Sequence, residues 1–425
     1  MSQLSERRGY RILKEAEVAR YVADGPARDA LGGHPAGWRV REVGDGNLNL
    51  VFIVEGDPGG IVVKQALPYV RLVGESWPLP LDRSYYEAEA LAAQARVAEG
   101  LIPRVHAYDH DLAAIVMEFL SPHIILRKGL IAGRVYPDLH RHVGRFMART
   151  LFHTSDLAMP AAAKKAEIAK FAGNTALAKI TEDLVFTDPY WRAPMNAWMP
   201  ALEEPAASIR ADGDLKIAAQ ELKHRFLSSA EALVHGDLHS GSIMVTETDT
   251  RVIDPEFAFY GPMGFDTGAY FANLLLAFLS QRGHEAEGPR DAYRRYVLDQ
   301  IASTWAVFEA EFRALWAVET RTGDAYARQL FEDQGDLAAL AKARDRFMER
   351  LLADTLGFAG AKMIRRILGL AKVADMETIA DPAVAAACKT RALRLGRDLL
   401  VRRAEFRDMA TVIALAEAMD GGSIR

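Results

Sequence analysis

Apolar positions within residues 13–24 fall at helical spacing, and a connector containing Gly32, Gly33 and Pro35 follows. From Trp38 the period shortens to two. Residues 38–43, 48–56 and 61–66 alternate and are rich in β-branched side chains, with a Pro-Gly turn at 57–60, which predicts antiparallel strands. Residues 82–98 return to helical spacing through Tyr86, Ala90, Leu91 and Ala95. The runs 105–110 and 113–119 are each short enough for one strand.

Beyond Leu120 the chain is Ala-, Leu- and Arg-rich with helical period. Long helices are expected at 141–155, 291–320, 342–355 and 384–416, interrupted by strand-like pieces at 232–234, 242–246 and 251–253. The pattern predicts an α+β chain. Its small β-rich N-lobe, residues 1–118, holds an N-terminal helix and an antiparallel sheet; its large, mainly helical C-lobe covers 119–425. The two join near Met117, Glu118 and Leu120.

Composition narrows the function classes. A net charge of −5 over 425 residues gives no footprint for nucleic acid or an anionic membrane surface. One cysteine, Cys388, excludes an internal disulfide framework and a cysteine metal cluster. The N-terminal residues carry no signal-like apolar run, and the apolar stretch 269–279 is interrupted by Asn273 and too short to span a bilayer. A cytoplasmic protein is expected.

Candidate chemistry concentrates in LVHGDLHSGSIM, residues 233–244, and VIDPEFAFYGPMG, residues 252–264. Asp237 follows a strand, where a carboxylate can accept a hydroxyl proton or hold that hydroxyl for in-line attack. His235 and His239 flank it, but loop spacing does not match a helical zinc motif, so both read as braces of the loop. Asp254 and Glu256 are hard oxygen donors suited to magnesium. Pro255 biases Asp254 toward an extended backbone. Asp266 reads as the cap of a helix beginning near Thr267, and as a brace for the loop.

Upstream, Gly44 and Gly46 in VGDGNLNLVF lie between two strands, where backbone N–H groups can approach a phosphate; the same turn is an ordinary hairpin tip. Asn47 and Asn49 either add donors or cap that turn. Lys64, in IVVKQA, is placed to meet phosphates from a strand, the alternative being a snorkelling edge lysine. Glu87 or Glu89 would orient it, Glu87 being preferred. The backbone of Met117–Leu120 would meet an adenine edge.

In this order the parts resemble the small-molecule branch of the protein-kinase-like fold, with its aminoglycoside phosphotransferases and choline kinases. Ser242 stands where that branch has a metal-binding Asn, and DPE replaces the usual D-F-G or D-x-D. Together with GESWPLPLDR, HIILRKGLI and KMIRRILGLAKVADME, these departures resemble the 5-methylthioribose kinase family. The resemblance implies a bilobal kinase fold and ATP- and Mg2+-dependent phosphorylation of the O1 hydroxyl of S-methyl-5-thioribose, in methionine salvage. It implies Asp237 as the catalytic Asp, Asp254 and Glu256 as metal ligands, and a phosphate loop of Gly44, Asp45, Gly46, Asn47 and Asn49. It also implies Lys64 on the phosphates, a closing loop bearing Trp77, Arg365 and Arg366 at the sugar and transferred phosphoryl, and a homodimer. Trp77 or Phe257 could line a pocket for the thiomethyl group. Adjacent helix arginines point about 100° apart, so at most one faces the phosphoryl squarely. Two other functions stay open: a related sugar, aminoglycoside or choline-like kinase, and a catalytically inactive kinase-like binding module.

Overall fold

The alternating segments of the first part of the chain assemble as one antiparallel sheet in the computed structural model, which describes residues 9–44, 48–57, 59–71, 74–318 and 321–421. Strand order is Arg39–Glu42, Asn49–Glu55, Gly60–Ala66, Ala114–Glu118, Val105–Asp109. Along Gly60–Ala66, successive side chains point to opposite faces. Ile61 and Val63 are buried in a core shared with Val18 and Val22 of the helix Glu15–Ala23, Phe52 and Trp38. Gln65 follows on that face, its carboxamide accepting from the Leu13 N–H at 2.8 Å and donating to the Arg11 and Leu112 carbonyls. Val62 lies on the other face with Ala88, Ile115 and Met117. The pleat therefore turns Lys64 toward the helix Arg83–Ala95, which carries Ala88. This β-rich unit also includes Asn174–Leu177 and Arg251–Ala258, so the Asp-Pro-Glu segment belongs to it despite its distance along the chain.

The remainder forms a second, mainly helical unit. At its centre is the helix Met263–Ser280, buried along its whole length. That explains the long apolar run, and among the described residues no helix is long and apolar enough to cross a membrane. The helix packs against Leu337–Leu368 through small residues: a Cβ at Gly264 would come within 2.6 Å of the Asp354 Cβ, and one at Gly268 within 2.6 Å of the Thr355 carbonyl. The Thr267 and Thr355 hydroxyls meet at 2.6 Å. On another side of Leu337–Leu368, Gly360 approaches the Gly396 carbonyl of the helix Pro382–Val401.

Two helix expectations change. The helix expected at 342–355 runs from Leu337 to Leu368, and Gly357 and Gly360 lie inside it as close-packing positions. The helix expected at 384–416 is two, Pro382–Val401 and Met409–Gly421. Arg403 donates to the Leu400 carbonyl at the end of the first, and Asp408 accepts the Thr411 N–H at the start of the second, so local side chains close both ends. Short strands pair Ala232–Val234 with Phe259–Gly261, and Ile243–Val245 with Ile124–Ile125.

Candidate active site

In the β-rich unit a charged cluster is built around Lys64. Its ammonium lies 2.7 Å from each Glu87 oxygen and also contacts Asp254. Arg83, one helical turn before Glu87, is buried and donates to the carbonyls of Leu67, Pro80 and Leu48 at 2.7, 2.9 and 2.7 Å. It also donates to Asn49 Oδ1 at 3.0 Å and stands 3.5 Å from Glu256. Asn49 Nδ2 donates to Glu256 Oε2 at 2.9 Å, and Asn174 Nδ2 donates to the Glu256 and Ala258 carbonyls. Glu256 is thus fixed at side chain and backbone.

Carboxylate oxygens of Glu87, Asp254 and Glu256 lie within 4.8 Å of one another. Burial alone would lower the Lys64 ammonium, but the Asp254, Glu87 and Glu256 carboxylates outweigh it and hold the lysine charged. Burial and mutual repulsion raise Glu87 and Glu256 against the pull of Lys64. Two cations facing three carboxylates leave negative charge unbalanced, and the donors are hard oxygens, a set that fits a hard divalent cation. Both Glu87 oxygens are taken by Lys64, which leaves Asp254 and Glu256 for that cation.

Asp254 has φ +69°, not the extended backbone expected before Pro255. A non-glycine residue there costs roughly 1–3 kcal/mol and persists only where its surroundings over-determine it. Here the Lys64 contact and the turn closed by the Ala258 N–H on the Pro255 carbonyl do so.

In the helical unit, the loop after Ala232–Val234 presents Asp237. Gly236, at φ +84°, makes a turn that favours glycine. Asp266 accepts the backbone N–H groups of His235 and Gly236 at 2.6 and 3.0 Å. Its helix begins at Met263, so Asp266 lies inside the first turn and braces the loop; it does not cap the helix. Ser242 Oγ donates to the Asp237 carbonyl at 2.9 Å, closing the loop from within.

Asp237 Oδ1 lies 3.1 Å from Lys362 Nζ and 3.9 Å from an Arg366 nitrogen; Oδ2 lies 3.2 Å from His239 Nε2. His239 Nδ1 accepts the Gly241 N–H at 2.9 Å, so in the neutral ring Nε2 carries the proton and donates to Asp237. Burial pushes His239 down to about 3, even against the Asp237 charge, so it is neutral at physiological pH. Burial would raise Asp237, but His239, Lys362 and Arg366 reverse this and hold it well below the usual carboxylate range. Arg365 and Arg366, both buried in the last turn of Leu337–Leu368, converge on the Ala371 carbonyl at 3.5 and 3.3 Å. Their Nε atoms have no hydrogen-bond partner among the described residues.

Other expected site residues are distributed as follows. Asp45, Gly46 and Asn47 lie outside the described residues. Gly44 is exposed, with open space where a Cβ would be. Asn49, expected either as a phosphate donor or as a cap of the turn, has its side chain committed to Glu256 and Arg83. Met117 and Glu118 end the strand Ala114–Glu118; the Glu118 N–H is taken by the Arg104 carbonyl and the Phe119 N–H by that of Gly60. Leu120 is buried just beyond. Trp77, expected on a closing loop over residues 74–82, is half-buried on the short strand Gly74–Pro78. Arg83, Asn174 and Lys362 were not anticipated. Arg83 and Lys362 had a signal: each stands four residues before a singled-out residue, Glu87 or Arg366, and so shares its helix face. Asn174 had none.

The model of the "Phosphotransferase enzyme family" matches residues 39–306. A methylthioribose kinase of Escherichia coli O45:K1 is 50% identical over 91% of this chain and 92% of its own length. Methylthioribose kinase 1 of Oryza sativa subsp. japonica is 44% identical over 97% and 96%, and a Geobacillus thermodenitrificans methylthioribose kinase 46% over 86% and 87%. A solved glucosamine kinase in complex with glucosamine, ADP and inorganic phosphate aligns over 90% of this chain and 86% of its own, at 14% identity and a TM-score of 0.49. Both the domain match and the identity over nearly full length lead to one conclusion: the chain belongs to the methylthioribose kinase family of phosphotransferases.

Proposed function

We propose that this protein is an ATP- and Mg2+-dependent kinase that phosphorylates the O1 hydroxyl of S-methyl-5-thioribose. The observation that carries the reading is Asp237: a carboxylate held ionised, partly open to solvent, with Lys362 and Arg366 beside it. The acceptor hydroxyl donates to Asp237, which orients it for in-line attack on the γ-phosphorus of ATP. As the new O–P bond forms and the bond to ADP breaks, the hydroxyl proton passes to Asp237. Arg365 and Arg366 offset charge developing on the transferred group. Lys64, oriented by Glu87, meets the nucleotide phosphates. Asp254 and Glu256 would hold Mg2+, which supplies neutralisation of phosphate charge. Of the connector N–H groups, that of Leu120 is the candidate donor to adenine, since those of Glu118 and Phe119 are occupied.

Three buried cations near Asp237 disfavour cationic acceptors such as aminoglycosides and choline. With this reading go a place in methionine salvage, a cytoplasmic location and a homodimer. A panel of methylthioribose, ribose, choline and an aminoglycoside with Mg2+ and ATP tests it. Methylthioribose should give the highest kcat/KM, and Asp237→Asn should abolish turnover while retaining ATP binding. Preference for choline or an aminoglycoside, or an active Asp237→Asn protein, would overturn it.

A further inference from the structure

Lys362 is 3% exposed, yet its ammonium reaches the Asp237 Oδ1 at 3.1 Å. The ammonium also stands 4.4 Å from the centroid of the Phe265 ring. Taking a lysine cation out of water costs several kcal/mol unless a good partner meets it. Asp237 keeps about a fifth of its side chain open, so the lysine approaches it from the protein side and leaves the solvent side to a ligand.

Of the groups that hold Asp237 ionised, Lys362 is the nearest that carries a full charge. Neutral His239 lends Oδ2 a hydrogen bond but no full charge. Arg366, at 3.9 Å, is beyond hydrogen-bonding distance, and Arg365 turns to the Ala371 carbonyl. With Oδ1 on Lys362 and Oδ2 on His239, the carboxylate plane is fixed, and each oxygen retains a lone pair for an incoming hydroxyl. We propose that Lys362 is a positioning residue, acting through Asp237 to hold its carboxylate ionised and in a single orientation for the acceptor hydroxyl. This role rests on the reading of Asp237 as the group that receives the hydroxyl proton.

The charged and titratable groups around this pair are His235 and His239 from the loop, Arg365 and Arg366 from the helix of Lys362, Asp266 from Met263–Ser280, and Arg127, which touches the loop at Ser240. Burial, with the arginines, lowers Lys362 to about 8 despite Asp237. Loss of the ammonium above that pH releases Asp237.

Two readouts separate this role from a packing role and from the kinase reading itself. The first is the pH profile of kcat/KM with methylthioribose. Lys362→Met should move the acid limb up by roughly 1–2 pH units, as loss of a paired opposite charge requires. It should lower kcat by roughly 10–100-fold, within the range of general-base effects, while KM for ATP stays within about twofold. Lys362→Arg should keep the acid limb and lose the basic limb near pH 8. The second is carbon-13 titration of the Asp237 carboxyl in ligand-free protein, assigned by its absence in Asp237→Asn; Lys362→Met should raise it by the same interval. An unmoved Asp237 titration in folded Lys362→Met overturns the proposal. If that variant does not fold, a basic limb persisting at pH 8 in Lys362→Arg overturns it. Failure of the wild type to phosphorylate methylthioribose would sink the kinase reading alone, and the carboxyl titration would still decide the role of Lys362.

Discussion

Asn49 donates its side-chain amide to Glu256 at 2.9 Å, across 207 positions of sequence. The contact turns a residue of the glycine-loop strand into a support for a carboxylate proposed to hold Mg2+. Hydrogen bonds of this kind orient a ligating carboxylate and tune its affinity for metal. Asn49→Ala should raise the Mg2+ concentration for half-maximal activity roughly 10–100-fold. A Mg2+ titration at saturating ATP checks this, and an unchanged midpoint would remove Asn49 from the role.

Arg83 serves four acceptors and neighbours Glu256 from a buried position. Removing it leaves those acceptors and a buried carboxylate uncompensated, a loss on the order of 3–5 kcal/mol. Arg83→Met should therefore unfold far more easily in urea than wild type. Arg83→Lys should recover little, because an ammonium cannot reproduce the planar fork. Near-wild-type stability of either variant would contradict this account.

The two adjacent arginines are not equivalent. Arg366 is the nearer to Asp237, and it lies one turn beyond Lys362 on the same helix face. Arg366→Ala should lower kcat by about 100–1000-fold, the scale of losing one group that stabilises developing charge. Arg365→Ala should lose less. Steady-state kinetics on both variants, with melting curves alongside, would expose the opposite ranking.

His239 links proton binding to stability. Burial lowers it from 6.5 to about 3, so between those values the unfolded chain binds the proton and the folded one does not. Its contribution is therefore present above pH 6.5 and is lost as pH falls toward 3. Over that window the stability of His239→Gln should fall less steeply with acid than that of wild type. Urea midpoints at pH 7, 6, 5 and 4 measure both slopes, and parallel curves would refute the assignment.

Period-two alternation was sufficient to find the sheet and to turn Lys64 toward the Glu87 helix, because side-chain direction in a strand is a local property. The Asp237 loop was legible for a similar reason: its strand, glycine and acidic residue are contiguous. What escaped notice depends on pairing between distant segments. Helical spacing puts Lys362 on the face of Arg366, but nothing in KMIRRIL shows that this face meets Asp237. Asp254 escaped differently, since the contact with Lys64 overrides the preference that Pro255 imposes.

Gly264, Gly268 and Gly360 seat the helix Leu337–Leu368 at close range, and Lys362, Arg365 and Arg366 take their positions from that seat. One residue inserted beside Ala361 would turn all three by about 100° and advance them about 1.5 Å, leaving Asp237 without its cation. Chain length here is consequently as exacting as residue identity. Insertions belong before Leu337 or after Leu368, where neither the seat nor the spacing to Lys362 is altered.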